Sequence, residues 1–322
     1  MNPESFNKPQ LNRRFSVLVC TSPKAGNGTG RDRIAHLIEG LRAAGIQADV
    51  TTDIACVRAK SHESRGPDDD ELILVTAGGD GTLALVAQNT PASSVLVPMP
   101  LGTENLLARH FGFVANPYAI METMLHGYNH AIDAGCANGK LFLVMMTCGF
   151  DAEVVRAMHL RRRGHINRFS YAWPILRTLT RYSFPPLQVT WQVTNPATGE
   201  EGLPMSAEEI YRWAMVFNLP RYAASLPIET GAKEDDGQLD FCGLRNGTVL
   251  GGIRYLGGIV AGRHIYWADV TRQTIVRCRI TSPLPVSYQL DGDYAGRLPL
   301  DIHVLPKQIT LRLPPSYRPT TL

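Results

Sequence analysis

The run from Glu71 to Ala77 is apolar without alternation and gives way at once to Gly78-Gly79-Asp80-Gly81-Thr82 and the helical spacing of Leu83 to Asn89. A strand of that kind is buried on both faces, which confines it to the middle of a largely parallel sheet covered by helices. Glycines between such a strand and a helix let the backbone approach a bulky anion. The N–H groups of the turn and the helix N-terminus then supply positive potential, and Asp80 can hold magnesium or a sugar hydroxyl. This is the chemistry of a nucleotide phosphate site.

Two further turns have the same setting. Phe15 to Cys20 reads as a strand ended by Ser22-Pro23-Lys24-Ala25-Gly26-Asn27-Gly28-Thr29-Gly30, and Ser94 to Met99 as a strand ended by Pro100-Leu101-Gly102-Thr103-Glu104-Asn105. The first is not a Walker A loop, since no Gly-Lys-Ser/Thr ends it. Nor is it the dinucleotide fingerprint, since Arg31 stands where the third glycine belongs. Three glycine turns at the carboxyl ends of neighbouring strands form one crevice, where open α/β sheets bind ligands.

The periodicity extends this layer. Helices are predicted over Arg31 to Ala44, Asn105 to Phe111 and Tyr118 to Leu125, a strand over Ile46 to Thr52, and an acidic loop over Arg65 to Glu71. After Ala131 strand-like runs follow one another: Leu141 to Cys148, Leu187 to Val193, Trp213 to Leu219, Leu239 to Leu244, Thr274 to Ile280 and Ile309 to Leu313. The expected plan is an α/β domain over residues 1–132, possible return of the tail 308–322 to it, and a β-sandwich over 133–307 with a helical insertion at about 151–182.

Composition removes several classes. The six cysteines are far apart without paired spacing, which excludes a zinc site and a disulfide scaffold and fits a reducing cytoplasm. His126 and His130 sit four apart with no zincin Glu between them. The longest apolar stretch, Val249 to Gly262, carries Arg254 and falls short of the roughly 18 to 20 residues of a membrane span. Met1 to Arg14 lacks the apolar core of a signal peptide. Charge is unevenly spread: from Val154 onward 20 Lys and Arg face 13 Asp and Glu, a net of +7, against −4 before it. Seven arginines (156, 161, 162, 163, 168, 177 and 181) lie between Val154 and Gly199 with no acid, and apolar residues from Phe169 to Phe184 are interleaved with them. Such a stretch attracts an anionic membrane surface. No nucleic-acid module accompanies it.

The turns, in this order, resemble the catalytic domain of the diacylglycerol kinase and sphingosine kinase superfamily, including its bacterial lipid kinases. Residues 22–26 answer the family's Asn-Pro-x-Ser-Gly, residues 78–82 its Gly-Gly-Asp-Gly-Thr, and residues 100–105 its Pro-x-Gly-Thr-x-Asn. Downstream, Gly149-Phe150-Asp151-Ala152 matches a family signature, Asp235-Asp236-Gly237-Gln238-Leu239-Asp240 its Asp-Asp-Gly-x-Leu-Asp, and Asp291-Gly292-Asp293 stands where the family has Asp-Gly-Glu. The resemblance implies ATP and Mg²⁺ as cofactors and a membrane lipid, diacylglycerol first, as phosphoryl acceptor. It implies Asp293 as the base, with Asp291 and Asp80 in the catalytic centre. Nucleotide contacts fall on Ser22, Pro23, Lys24, Ala25, Gly26, Gly78, Gly79, Asp80, Gly81, Thr82, Gly102, Thr103, Asn105 and on Thr52 or its neighbour Thr51. Asp236 would donate a carboxylate to a structural magnesium, with main-chain carbonyls from Lys233 and Gln238. Asp133 would lie near the catalytic magnesium.

Three departures accompany the resemblance. Ala84-Leu85 replaces an Asn-Glu pair, Leu106 replaces an acid, and Asp293 is one methylene shorter than Glu, a shift of about 1.5 Å. An NAD kinase, which shares the Gly-Gly-Asp-Gly-Thr turn, and a binding protein without turnover are the competing expectations. A cytoplasmic enzyme at the inner membrane face, with scope for homo-oligomers, is the leading one.

Overall fold

The computed structural model describes residues 15–22, 28–63, 69–160, 177–178, 180–194, 205–220 and 228–318. Four strands form its N-terminal layer: β1 (Phe15–Thr21), β2 (Ala48–Thr51), β3 (Glu71–Gly78) and β4 (Val95–Pro100). They run parallel in the order β2-β1-β3-β4. Val17, Leu18 and Val19 of β1, Ile73, Leu74 and Val75 of β3, and Leu96 and Val97 of β4 are all buried. The unbroken apolar runs therefore correspond to strands covered on both faces.

Helices α1 (Thr29–Ala43), α2 (Ile54–His62), α3 (Asp80–Gln88), α4 (Leu106–His110) and α5 (Pro117–His126) connect and flank these strands. α1 buries Ile34, Leu37, Ile38 and Leu41, and it stops at Gly45, whose φ of 77° only glycine adopts readily. α5 begins on Asn116, whose side chain accepts from the N–H groups of Tyr118 and Ala119, with Pro117 in the first turn. α2 was not predicted: it buries only Val57, so its sequence carries no apolar stripe.

The remaining strands are β5 (Tyr128–Ala137), β6 (Lys140–Phe142), β7 (Met145–Cys148), β8 (Leu187–Gln192), β9 (Glu209–Tyr211), β10 (Trp213–Phe217), β11 (Leu239–Leu244), β12 (Val270–Ile275), β13 (Arg277–Thr281), β14 (Ser287–Leu290), β15 (Asp293–Arg297) and β16 (Leu300–Leu313). Six of them form an antiparallel sheet in the order β12-β11-β10-β7-β14-β15. The others extend the first sheet through β16 to β13, β8 and β9, with β5 beside β16 and β6 beside β5. Between the two sheets Phe142, Met146, Trp191, Tyr211, Phe241 and Ile302 pack with their neighbours into a core of their own. The protein is thus an α/β layer joined to a β-sandwich.

Two expected strands are each divided. Leu141 to Cys148 breaks after Phe142, because the N–H groups of Leu143, Val144 and Met145 turn to the Asp291 carboxylate. Thr274 to Ile280 breaks at Val276, which passes the chain from one sheet to the other and pairs its N–H with the Gln192 carbonyl. The apolar stretch from Val249 becomes helix α7 (Val249–Val260), which with α6 (Phe150–Leu160) packs into the larger core on the outer side of the second sheet. Among the described residues no helix is long and apolar enough to cross a membrane. All six cysteines are free, and burial pushes the Cys20 and Cys242 thiols up to about 12.

Strand β16 joins both halves. Its last residues run parallel to β4 (Thr310 beside Val95), its first run antiparallel to β13 (His303 beside Arg277), and β5 follows it throughout. Near its end Arg312, 1% exposed, binds both carboxylate oxygens of Glu71 at 2.8 and 2.9 Å, Asn129 Oδ1 at 2.9 Å and the Met124 carbonyl at 3.2 Å. Replacing Arg312 with Leu strands these acceptors. We expect a loss of about 3 kcal/mol in urea unfolding, the low end for a broken buried pair because Glu71 retains contact with water.

Candidate functional site

The strand order places the carboxyl ends of β1, β3 and β4 along one edge, with the topological switch between β1 and β3. At the end of β3, the Gly78 carbonyl accepts from the N–H groups of Leu101 at 2.9 Å and Gly102 at 3.3 Å. The two glycine turns are in direct backbone contact: a Cβ on Gly102 would lie 2.6 Å from the Gly79 Cα. Thr82 folds back over Gly78, where a Cβ would stand 2.3 Å from its Oγ1. These glycines are fixed by packing as much as by any ligand. Asn105, buried and left-handed at φ 49°, closes the second turn by donating to the Gly102 carbonyl and accepting its N–H. Gly81, Gly102 and Thr103 remain exposed along this edge.

Of the first turn, Ser22 is half-buried at the end of β1, and the preceding Thr21 hydroxyl donates to the Ala77 carbonyl. Pro23, Lys24, Ala25 and Gly26 lie outside the described residues. Thr51 ends β2 beside Cys20 of β1, and Thr52 follows it. The Thr51 hydroxyl accepts the Asp53 N–H at 3.1 Å, whereas Thr52 is exposed.

Asp80 opens α3, and its carboxylate caps another helix. Its oxygens accept from the N–H groups of Leu106 at 2.9 Å and Leu107 at 3.2 Å, the first turn of α4, while the Asn105 side chain is spent on Gly102. Burial raises the Asp80 pKa against these donors. Leu106, where the family has an acid, therefore serves through its main chain.

The turn between β14 and β15 brings the second domain to this point. A Cβ on Gly81 would lie 3.0 Å from Asp293 Oδ2. Asp293 is exposed, whereas Asp291, left-handed at φ 50°, accepts from Leu143 at 2.7 Å, Val144 at 2.9 Å and Met145 at 3.0 Å. Burial pushes its carboxyl up to about 7, with the nearby Asp80 charge adding to that rise and the three N–H groups opposing it.

A buried polar chain supports the turn. The Gly292 N–H donates to Gln289 Oε1 at 2.6 Å, Gln289 Nε2 to Thr147 Oγ1 at 3.0 Å, and Thr147 Oγ1 to Asp151 Oδ2 at 2.5 Å. Trp213 Nε1 holds the other Asp151 oxygen at 2.8 Å. Burial raises the Asp151 pKa. The motif at residues 149–152 thus anchors the turn at residues 291–293 from below. Sequence reasoning missed Thr147 and Gln289, whose only signal is polarity inside otherwise apolar strands. Tyr182 and Phe184, from the apolar stretch considered for acyl chains, pack on Phe150 instead; residues 161–176 of that stretch lie outside the described residues.

Asp133 is buried and holds main-chain groups. Its oxygens accept from the N–H groups of Gly237 at 2.6 Å and Lys307 at 2.7 Å, so it shapes the loop at 233–238 and the bulge of β16. Its charge is felt by Asp236 in that loop. Burial, followed by the charges of Asp133 and Asp235, raises the Asp236 pKa, and Asp236 Oδ1 accepts the Gln238 N–H at 3.0 Å. The Gln238 side chain is engaged by Thr194, and Lys233 is exposed. Glu234 and Asp235 approach His110 and His130 at 3.5 and 3.8 Å. Asn218, also missed, is 1% exposed and donates to the carbonyls of Asp133 and Leu143, tying this loop's support to the segment that holds Asp291.

Among the described residues no cluster of three or more His, Cys, Asp or Glu is grouped to hold a metal unaided. Magnesium normally takes one or two carboxylates and fills its remaining positions with phosphates and water. The residues present suit it. The Asp80 charge reaches Asp291, and Asp293 lies against Gly81 of the same glycine turn, so acids of both domains stand near it, a setting that a cation would relieve. The loop at 233–238 likewise offers oxygen donors among mutually repelling acids.

Comparison with known proteins agrees with the two-domain fold. A model of the Diacylglycerol kinase catalytic domain matches residues 16–137, and one of the YegS C-terminal NAD kinase beta sandwich-like domain matches residues 144–313. The protein named "Probable lipid kinase YegS-like" from Pseudomonas fluorescens is 32% identical over 149 residues, 45% of this chain and 48% of that one. A diacylglycerol kinase of Staphylococcus carnosus is 20% identical over 315 residues, covering 96% and 98% of the two chains. The crystal structure of a diacylglycerol kinase from Bacillus anthracis str. Sterne superposes with a TM-score of 0.64 at 22% identity, over 96% of this chain and 99% of that one, and so shares the fold. Since both halves are matched in order, the chain belongs to the diacylglycerol kinase catalytic-domain family, in its two-domain form with a YegS-type C-terminal β-sandwich.

Proposed function

We propose that this protein is an ATP-dependent lipid kinase that transfers the γ-phosphate of ATP to a hydroxyl of a membrane lipid, diacylglycerol first among the acceptors. The observation that carries the reading is the approach of Asp293 Oδ2 to Gly81. It sets a carboxylate of one domain against the phosphate turn of the other, where an acceptor hydroxyl must meet the γ-phosphate. The names of the relatives, lipid kinase and diacylglycerol kinase, support the acceptor class.

Phosphoryl transfer asks for positioning and for neutralisation of charge more than for covalent chemistry. The turns at 78–82 and 100–105 and the α3 N-terminus would face the phosphates with the main-chain N–H groups not already taken by Gly78, Gly79 and Asn105. Asp293 orients the acceptor hydroxyl and takes its proton as the new bond forms. Its side chain, though shorter than Glu, still reaches the Gly81 turn. Mg²⁺, when bound on the side of Asp80 and Asp291, would neutralise the phosphates and leave Asp293 free to act as base. A second ion would be held by Asp236 with carbonyls of Lys233 and Gln238. The reading places the enzyme in the cytoplasm, at the inner membrane face.

A binding protein without turnover is favoured by one observation: both Asp80 oxygens are already committed to α4, and Leu106 supplies no acid in exchange. Transfer of labelled γ-phosphate to micellar diacylglycerol, sphingoid base, phosphatidylglycerol and NAD separates the readings. We expect label on a lipid, and a fall in kcat of about 100-fold or more in Asp293→Asn with ATP binding retained. Label on NAD alone, or on nothing despite ATP binding, would overturn the proposal. The polar chain beneath the turn gives a second expectation. Gln289→Leu leaves the Gly292 N–H and Thr147 without their partner, costing about 1–3 kcal/mol in thermal or urea unfolding. It should also lower kcat by roughly tenfold with KM for ATP unchanged, since only the Asp293 turn is loosened.

A further inference from the structure

Helix α7 has two apolar faces, and the second sheet uses only one. Tyr255, Gly258 and Ile259 face inward, and at Gly258 a Cβ would collide with the Trp267 ring. On the outer face Leu250, Ile253 and Val260 are 76%, 52% and 71% exposed, and Tyr266, just past the helix, is 81% exposed. Their spacing of three and seven residues sets them in one stripe, with Gly257 open between them. Packing of the core does not require this stripe to be apolar.

Basic residues border the stripe, two of them ion-paired: Arg245 with Glu209 and Arg254 with Asp269. From Arg245 to Ala268 the chain has three arginines and no acid. Arg254 sits 3.9 Å above the Trp267 ring and pairs with Asp269, and Arg263 is exposed beyond the helix end. An apolar stripe with arginines and aromatic rings at its margin matches the boundary between acyl chains and anionic headgroups.

We propose that the outer face of α7 is the membrane-docking surface of this protein, lying in the plane of a leaflet that contains anionic lipid. The choice of a bilayer as partner rests on the lipid-kinase reading. The location differs from the expectation drawn from the arginines between 156 and 181. Of those, Arg156 is bound by Glu153, and residues 161–176 lie outside the described residues.

Co-sedimentation with phosphatidylcholine vesicles, with and without phosphatidylglycerol and in the absence of ATP, tests the proposal. The native chain should pellet with the anionic vesicles and be released as salt rises. The combined variant Leu250→Gln, Ile253→Gln, Val260→Gln should partition at least about tenfold more weakly. Its melting temperature and its phosphorylation of detergent-dispersed lipid should match the native chain. Arg263→Glu should weaken binding at low salt. Unchanged vesicle binding by the triple variant would overturn the proposal, as would a native dimer that the variant dissociates while still binding vesicles. Vesicle binding that depends on α7, without transfer to any lipid, would instead sink the kinase reading and leave the docking face standing.

Discussion

A site assembled from two domains requires that they be fixed relative to each other, and here one strand does this. β16 hydrogen-bonds to β4 of the α/β layer and to β13 of the sandwich, so the first sheet continues from one domain into the other. Its bulge, where Lys307 takes a left-handed φ of 49°, is held by Asp133, and the same carboxylate holds the Gly237 N–H in the acidic loop. The joint between the domains and the shape of that loop thus depend on one buried side chain. The Arg312 pair with Glu71 secures the far end of the strand.

The acidic residues divide by what occupies them. Asp80 caps α4, Asp291 gathers three N–H groups from the segment between β6 and β7, and Asp133 joins the loop to the bulge. Each is committed to main-chain donors, which fixes the backbone around it. Asp293 has no such main-chain donors among the described residues and is exposed beside Gly81. The acids of this region thus divide into ones held rigid by main-chain donors and one, Asp293, left facing the glycine turn, the arrangement that the proposed transfer would use.

How much was legible in the sequence follows from how local each signal is. The Gly78 to Thr82 turn could be read because strand, glycines and helix are consecutive and each constrains the backbone alone. The parallel layer could be read from uninterrupted apolar runs for the same reason. The support of the site could not: Gln289 meets Thr147 across 142 residues, and Asn218 meets Asp133 across 85. Such pairs leave only an isolated polar residue in a buried strand. The break at Val276 is hidden too, since both sides of a sheet corner are equally apolar. The loop that folds over Asp133 could not be read either, since an acid in a strand does not announce which main-chain N–H groups, here Gly237 and Lys307, will meet it.

The substitutions that set this chain apart from its family acquire a physical reading together. An acid at position 106 would stand at the first turn of α4, beside the carboxylate of Asp80 that already caps it. With Leu106 there, half-buried against the core, that repulsion is removed and Asp80 alone serves the α4 N-terminus. The charge near the phosphate turn falls by one, and the shorter Asp293 stays in reach of Gly81. The remaining carboxylates then bear more of any cation bound there, and the position of Asp293 matters correspondingly more. Its turn is held by Gln289, Thr147 and Asp151 from within the sandwich, so the position of Asp293 is set by the core of the second domain rather than by the glycine turn it faces.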